Sequence, residues 1–430
     1  MNKAAFYTLG CKVNQYETEA MAELFSNAGY EICDFSDTAD IYVINTCSVT
    51  NMGDRKSRQI IRRAKKTNPE AVIIVTGCYS QTAPEEILAI DGVNLVLGTQ
   101  GRHNITELAK NLTCTSKVNA VSDIMHTHDF EELKINTYTD RTRAYIKIQD
   151  GCSQFCSYCI IPYARGPVRS RPENEIISEI KKLAENGFSE IILVGIHVAS
   201  YGKDLENASL ESLLLDIDKI DGIKRIRMSS IEPMTLNHEF TEKVKLSKKL
   251  CPHFHISLQS GCDETLKRMN RHYTTQQYME IVDGLRHAFP DAAITTDIMT
   301  GFPGETDEEF AKTADFVRRA GFADAHVFMY SQRRGTPAAK RPDQVAPEVK
   351  ERRSKEIIKI TADSRSSFIS KFIGQPVEVL FEQSSAGFFE GKTANYITVR
   401  VKTAKNLQGL YKTVIPERAD NGILYGKIDE

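Results

Sequence analysis

The sequence predicts an α/β chain in three parts: an N-terminal parallel α/β domain, a partial barrel of six βα units, and a small C-terminal antiparallel β-barrel. Three observations carry this expectation. Continuous apolar strands alternate with helical stretches over the first part of the chain, the pattern of a parallel sheet covered by helices. Six further strand–helix units follow, two short of a closed eight-stranded barrel. The remaining residues change to short alternating runs broken by Gly387, Gly391, Gly409 and Gly422, which read as antiparallel strands and turns. The 430 residues suit about three domains at roughly 150 residues each. The expected bounds are 1–112, a linker over 113–139, 140–368 and 369–430.

In the first part, strands over 4–9, 41–44 and 72–75 run into Gly10-Cys11, Asn45-Thr46-Cys47 and Thr76-Gly77-Cys78. Helices are expected over 16–27, with Gly29 as C-cap, and over 54–67, closed by Pro69. A fourth apolar stretch, 93–97, completes the sheet before a polar stretch over 111–140. The six strands of the second part fall at 143–149, 190–196, 225–231, 253–259, 293–300 and 324–331. Helices over 173–186, 275–288 and 306–320 lie between them, and Thr306 with Glu309 forms a capping box. Pro337, Pro342 and Pro347 punctuate the path to a charged helix over 348–371. The last part has strands over 376–381, 396–401 and 411–415.

Hydrophobic residues make up 41% and charged residues 26%, which excludes an intrinsically disordered chain. The 55 basic and 57 acidic side chains nearly cancel, so overall charge neither favours nor opposes a nucleic-acid partner. No apolar run approaches the roughly 20 residues that span a bilayer, and Met1 to Lys12 lack a signal core. A cytoplasmic protein with no membrane partner is therefore expected. In that compartment its ten cysteines are reduced thiols rather than a disulfide framework.

Cys152, Cys156 and Cys159 directly follow the first strand of the second part, where three thiolates on one loop can face one metal centre. A structural zinc wants a fourth ligand at a partner spacing, and none follows. A cubane iron–sulfur cluster normally takes four cysteines, so three leave one iron open to an exogenous ligand. Cys11, Cys47 and Cys78 are far apart in sequence, as unrelated buried thiols often are. Each nevertheless lies just past the end of a parallel strand, and the loops at such ends converge on one ligand-binding edge. Cys33, Cys114, Cys251 and Cys262 lack that placement and read as structural. His197, His253, His255 and His272 have no ligand spacing and read as core or rim residues.

The cysteine triplet at the top of a partial parallel barrel resembles the signature of the radical S-adenosylmethionine (SAM) superfamily. The resemblance implies a [4Fe-4S] cluster on Cys152, Cys156 and Cys159. Its open iron would bind the amino and carboxylate groups of SAM, and its electron would cleave the sulfonium to methionine and a 5′-deoxyadenosyl radical. The resemblance also implies cofactor contacts at Tyr158, at Gly195 near the methionyl group, at Gln259, and at Ile298 and Gly301 in a segment packing on adenine. The whole chain resembles the methylthiotransferases through Thr8-Leu9-Gly10-Cys11-Lys12-Val13-Asn14-Gln15, Asn45-Thr46-Cys47, Gly77-Cys78, Gly151-Cys152, Arg165-Gly166 and Gly301-Phe302-Pro303-Gly304-Glu305-Thr306. That layout implies a further [4Fe-4S] cluster on Cys11, Cys47 and Cys78, with SAM as both methyl donor and radical source. It implies no catalytic side chain beyond the cluster ligands, an electron donor such as flavodoxin or ferredoxin, and a sulfur source.

Lys12-Val13-Asn14-Gln15 is most similar to the branch that methylthiolates C2 of N6-threonylcarbamoyladenosine beside the tRNA anticodon. The same chemistry on N6-isopentenyladenosine tRNA, or on a ribosomal-protein aspartate, is the alternative. A non-enzymatic RNA-binding protein with structural metal is the alternative of another class. Arg55, Lys56, Arg58, Arg62, Arg63, Lys65 and Lys66 load the second helix, either as a solvated face or as a grip on phosphates. Arg165, Arg169 and Arg171 could serve substrate phosphate or the SAM carboxylate, and Arg165, Arg169, Arg333 and Arg334 are the candidates for the threonyl carboxylate. The C-terminal part resembles the TRAM domain, an RNA-binding barrel, through Gly391-Lys392-Thr393 and Tyr396. Charge does not reveal this, since eight basic residues face seven acidic ones between Lys371 and Glu430.

Overall fold

The computed structural model describes residues 2–135, 142–385 and 387–429. The first sheet is built from β1 (Lys3–Thr8), β2 (Glu31–Cys33), β3 (Ile41–Thr46), β4 (Val72–Gly77), β5 (Val93–Val96) and β6 (Val118–Asn119). All pairs are parallel, in the order β2-β1-β3-β4-β5-β6. Every residue of β3 and β4 is buried. Helices cover both faces, which is why these strands read as unbroken apolar runs rather than as alternating ones. Helix α1 (Lys12–Asn27) sets Met21 and Phe25 against Val43 and Ile74. Helix α2 (Asn51–Thr67) sets Ile60, Ile61 and Ala64 on the opposite face, against Tyr42 and Ile44.

The stretch expected to be a polar linker is partly built into this layer. Its residues Val118–Asn119 form β6, and Asn94 Nδ2 donates to the carbonyls of Cys114 and Ser116 to tether the segment. Ile124, Glu131, Leu133 and Ile135 are buried further on. Residues 136–141 of the expected linker lie outside the described residues.

The second part holds β7 (Ala144–Asp150), β8 (Arg169–Ser170), β9 (Glu190–Gly195), β10 (Arg225–Met228), β11 (His253–His255), β12 (Ala293–Thr300) and β13 (Asp324–Met329). β7, β9 and β10 pair in parallel, with two-residue β8 running antiparallel to β7. β11, β12 and β13 form a second parallel set. Bridges Ile226–Leu250 and Ile231–Ile256 join the two sets into one open six-unit barrel. β10 and β11 are shorter than the alternating sequence suggests, because beyond them the ladder continues only through single bridges and Gln259 adopts a left-handed φ of +67°. Ile146, Leu193, Ile226, Phe254 and Ile294 fill the core with Ile180, Leu214, Tyr278 and Phe316 from the surrounding helices.

Helix Pro347–Ser370 then leads to β14 (Val377–Ser385), β15 (Phe388–Thr393), β16 (Thr398–Lys402), β17 (Tyr411–Asp420) and β18 (Ile423–Ile428). These close a barrel in the order β14-β15-β16-β18-β17, antiparallel at every seam except the parallel β16–β18 pair. Arg225 and Arg227, at alternate positions of β10, donate to the carbonyls of Lys392, Glu378, Thr393 and Ala394. The small barrel is thereby fixed to the end of the large one where its strands begin. Among the described residues no helix is long and apolar enough to cross a membrane.

Candidate active site

Strand register creates the first cysteine cluster. Thr46 pairs with Gly77 and Thr8 with Asn45, so Cys47 and Cys78 leave the sheet side by side and Cys11 follows close behind. Cys11 caps α1, and Cys78 opens the short helix α3 (Cys78–Thr82). Gly10 has a φ of +103°, and a Cβ there would stand 2.8 Å from Cys47 Cβ. Gly77 has a φ of +98°, and a Cβ there would meet Asn45 Oδ1 at 2.4 Å. Only glycine permits both turns. Asn14 Nδ2 donates to the carbonyls of Leu9 (2.7 Å) and Thr46 (3.0 Å), holding two of the three loops together. Burial pushes the Cys47 thiol up to about 12, and neighbouring Cys78 pushes it further.

A buried ionic network lies directly beneath. Glu17 pairs with Arg102, Lys147 and Arg165, and Asp150 at the end of β7 pairs with Lys147 and Arg165. Burial alone would raise both carboxyls. The surrounding cations, led by Arg102 for Glu17 and Lys147 for Asp150, instead hold them well below the usual carboxylate range. Glu131 pairs with Arg102, and Arg169 lies 3.8 Å from Asp150. Four cations (Arg102, Lys147, Arg165, Arg169) thus face three carboxylates (Glu17, Glu131, Asp150). Arg165 Nε donates to Cys78 Sγ at 3.3 Å, so the spare positive charge adjoins the cysteines and suits an anionic group there.

This placement corrects the expectation that Arg165, Arg169 and Arg171 meet a substrate or SAM. All three are fully buried, and Arg171 is held by Glu179. Arg333 is engaged by Ser48, Asn51 and Asp54, and Arg334 is exposed and lines no part of the cavity inside the barrel. A sequence shows where cations lie along the chain but not which carboxylates reach them first.

The second triad sits on the loop between β7 and the helix Ile161–Arg165. The segment after helix Asp263–Arg268 pins it. Ser157 N donates to the Met269 carbonyl (3.0 Å), Ser157 Oγ to that of Arg268 (2.8 Å), and Asn270 Nδ2 to that of Phe155 (3.0 Å). Arg271 Nη1 donates to Cys156 Sγ at 3.4 Å while its Nη2 holds Glu232 at 2.7 Å. Burial pushes Cys152 up to about 11 and Cys159 up to about 12. Such thiols stay neutral at physiological pH unless a metal cation binds and deprotonates them. Nothing in the sequence singled out Arg271, whose role depends on a contact between distant segments.

Tyr158 packs with Met269, Met299, Phe302, Tyr330 and Ala338, so the cysteine loop and the Gly301 turn share one wall. Gly301 N donates to Glu305 Oε2 at 2.7 Å. Gln259 bridges Ile298, and its Oε1 is buried without a partner among the described residues. An unmatched buried acceptor costs about 1–3 kcal/mol, and a donor from a bound ligand would satisfy it. Gly195 ends β9 and is the one of these five that lines the neighbouring cavity.

That cavity, about 650 Å³, occupies the concave face of the open barrel. His253 and His255 of β11 and Ala293, Thr295 and Asp297 of β12 face it at alternate positions. The start of α1 supplies Cys11 and Lys12, with Val13 packed on Ile192 and Val194. The end of β15 supplies Lys392, and the β15–β16 connection supplies Tyr396. All ten cysteines are free, and among the described residues no three His, Cys, Asp or Glu side chains are grouped to hold a single metal ion. A cubane, in which each thiolate binds a different iron, calls for wider spacing than one ion does.

The radical SAM superfamily model matches residues 146–317, and that of uncharacterized protein family UPF0004 matches residues 3–98. A Bacillus subtilis protein named threonylcarbamoyladenosine tRNA methylthiotransferase MtaB is 45% identical over 416 residues, covering 95% of this chain and 92% of its own. The chain belongs to the radical SAM methylthiotransferase family. A Thermotoga maritima relative of the same name is 39% identical, covering 89% of this chain and 87% of its own. A Pelotomaculum thermopropionicum tRNA-2-methylthio-N(6)-dimethylallyladenosine synthase is 38% identical, covering 93% and 91%. Among solved structures, the radical SAM methyltransferase TsrM from Kitasatospora setae aligns with a TM-score of 0.55 at 15% identity, covering 79% of this chain and 74% of its own, a likeness of fold. In this methylthiotransferase both cysteine triads lie at strand ends, on the edge where parallel α/β layers bind ligands.

Proposed function

We propose that this methylthiotransferase converts N6-threonylcarbamoyladenosine beside the anticodon of cytoplasmic tRNA to its 2-methylthio derivative. The observation that carries the reading is the placement of Cys11 on the wall of the cavity inside the radical SAM barrel, since methylthio transfer needs the sulfur carrier and the radical source to share one substrate. The choice of base is supported by the relatives named for threonylcarbamoyladenosine, which reach 45% identity against 38% for those named for dimethylallyladenosine.

Cys11, Cys47 and Cys78 would hold one [4Fe-4S] cluster, and Cys152, Cys156 and Cys159 the other. When bound, the clusters and SAM supply the electron, the radical, the methyl group and the carrier for sulfur. The chain itself orients and shields. Arg165 and Arg271 donate to Cys78 and Cys156 and offset thiolate charge, Gln259 offers its unmatched carbonyl to SAM, and Gly195 keeps the wall near the methionyl group free of side chain. Tyr158, Ile298 and Gly301 form the wall around the adenine. Packing of Val13 on Ile192 and Val194 brings the N-terminal domain against the open barrel, which excludes water from the reacting groups. A flavodoxin or ferredoxin supplies the electron, and a separate sulfur source replenishes the carrier.

The test is mass spectrometry of tRNA nucleosides from cells lacking this gene, before and after its restoration. Return of 2-methylthio-N6-threonylcarbamoyladenosine is expected. Return of only the isopentenyl derivative, or of a ribosomal-protein modification, would overturn the choice of substrate.

A further inference from the structure

Two lysines on the cavity wall lack the partners that engage the arginines around them. Lys12, next to Cys11, and Lys392, at the end of β15, both line the cavity together with Tyr396, and Lys392 Nζ stands 4.9 Å from the Tyr396 ring centroid. Arg143 pairs with Glu382 and Arg227 with Glu190, while Glu390 is taken by Arg400. Among the described residues neither lysine has a carboxylate within ion-pair distance; Lys392 Nζ donates only to Thr398 Oγ1, at 2.6 Å. Tyr396 is held in a left-handed conformation, φ +69°, which a non-glycine residue keeps only where its surroundings enforce it. Those surroundings are the His253 ring stacked at 4.8 Å and the Arg227, Arg143 and Lys392 cations over its face.

We infer that Lys12, Lys392 and the Tyr396 hydroxyl form the recognition site for the threonyl carboxylate of the substrate base. The inference rests on the proposed function and adds which groups read the substrate. A cationic corner inside the barrel, beside Cys11, suits an anion attached to the reacting base. The terminal barrel thus supplies part of the active cavity as well as a place for RNA to bind. An isopentenyl group would leave both half-buried ammonium groups without a counter-ion, which is the physical basis for rejecting it.

The experiment uses the reconstituted full-length enzyme and synthetic anticodon stem-loop RNAs. These carry N6-threonylcarbamoyladenosine, its neutral methyl ester, or N6-isopentenyladenosine, and binding is measured without turnover. The wild type is expected to bind the free acid at least about tenfold more tightly than the ester, as charge-assisted contacts require. Lys12→Met and Lys392→Met should each lower that ratio towards one while leaving ester affinity unchanged, with iron content and circular dichroism reporting folding. Lys392→Arg should restore it in part, since it keeps the charge. A ratio retained in both Met variants, or equal loss of acid and ester RNA as phosphate contacts would give, overturns the inference. If the wild type prefers and modifies isopentenyladenosine RNA, the substrate reading itself has failed.

Discussion

Arg165 links the two halves of the chemistry through one guanidinium, touching Glu17, Asp150, Asn14 and Cys78 at once. Truncating it leaves two buried carboxylates short of a partner, a change that costs about 3–5 kcal/mol in such networks. Arg165→Lys keeps the charge but cannot span all four contacts. It should lower the reduction potential of the first cluster by removing a hydrogen bond to sulfur, which redox titration followed by EPR would detect. An unchanged potential would argue that the arginine is purely structural. The cysteines divide more sharply. Alanine at Cys152, Cys156 and Cys159 should abolish both SAM cleavage and methylthiolation. Alanine at Cys11, Cys47 and Cys78 should abolish methylthiolation but leave 5′-deoxyadenosine formation measurable by chromatography. Normal methylthiolation by the second variant would sink the two-cluster assignment. His253 gives a pH dependence. Its burial, with Arg227, His255, Lys12 and Lys392 facing it, holds the imidazole well below its ordinary 6.5. The folded protein therefore keeps it neutral while the unfolded chain takes up a proton. Its contribution is present above about pH 6.5 and declines below it by up to about 1.4 kcal/mol per pH unit. Denaturant midpoints on either side of pH 6.5 should show that slope shrink in His253→Gln.

Single elements carry the next tier of function. Helix α2 buries Ser57, Ile60, Ile61 and Ala64 and leaves Arg55, Lys56, Arg62 and Arg63 exposed on its outer face. Arg58 is not free for RNA in the same way, since it is tied to Tyr79 and Glu86. The double change Arg62→Ala and Arg63→Ala should reduce the slope of log affinity for tRNA against log salt by about 1–2, at roughly 0.7–0.9 for each phosphate no longer neutralised. An unaltered slope would make the helix a solvated face. The capping box expected at Thr306 and Glu309 is present, and Glu309 also holds Arg268, so the cap of helix Asp307–Ala320 ties to the segment under the cysteine loop. Thr306→Ala should cost about 1 kcal/mol of stability, measurable as a lower denaturant midpoint.

At the scale of the whole molecule, the two barrels and the start of α1 in the first domain each supply part of the wall of one cavity. Deleting residues from Lys371 onward should leave iron content at the wild-type level, because all six proposed ligands precede that point. It should weaken tRNA binding and, by removing Lys392 and Tyr396, also erase discrimination between threonylcarbamoyl and isopentenyl RNA. Undiminished tRNA affinity in a filter-binding assay would make the small barrel a lid or spacer.

Much of this was legible because it depends on local pattern. Unbroken apolar runs marked β3 and β4 as buried parallel strands, and a cysteine just past each of three strands pointed to one edge, because parallel strand ends converge whatever the side chains between them. Motif spacing alone grouped Cys152, Cys156 and Cys159. β6, set in a polar stretch, was not legible, since a two-residue strand carries no periodicity. Nor was the fate of the cations. Arg165, Arg169 and Arg333 looked available for an anionic ligand, yet Glu17, Asp150 and Asp54 reach them through the fold. Lys12 and Lys392 stood out only as members of family motifs, and among the described residues they are left without a carboxylate. The sequence by itself determined the layers, the two cysteine groups and the class of chemistry. Only the tertiary structure decided which charges are neutralised, because that depends on contacts between segments more than a hundred residues apart.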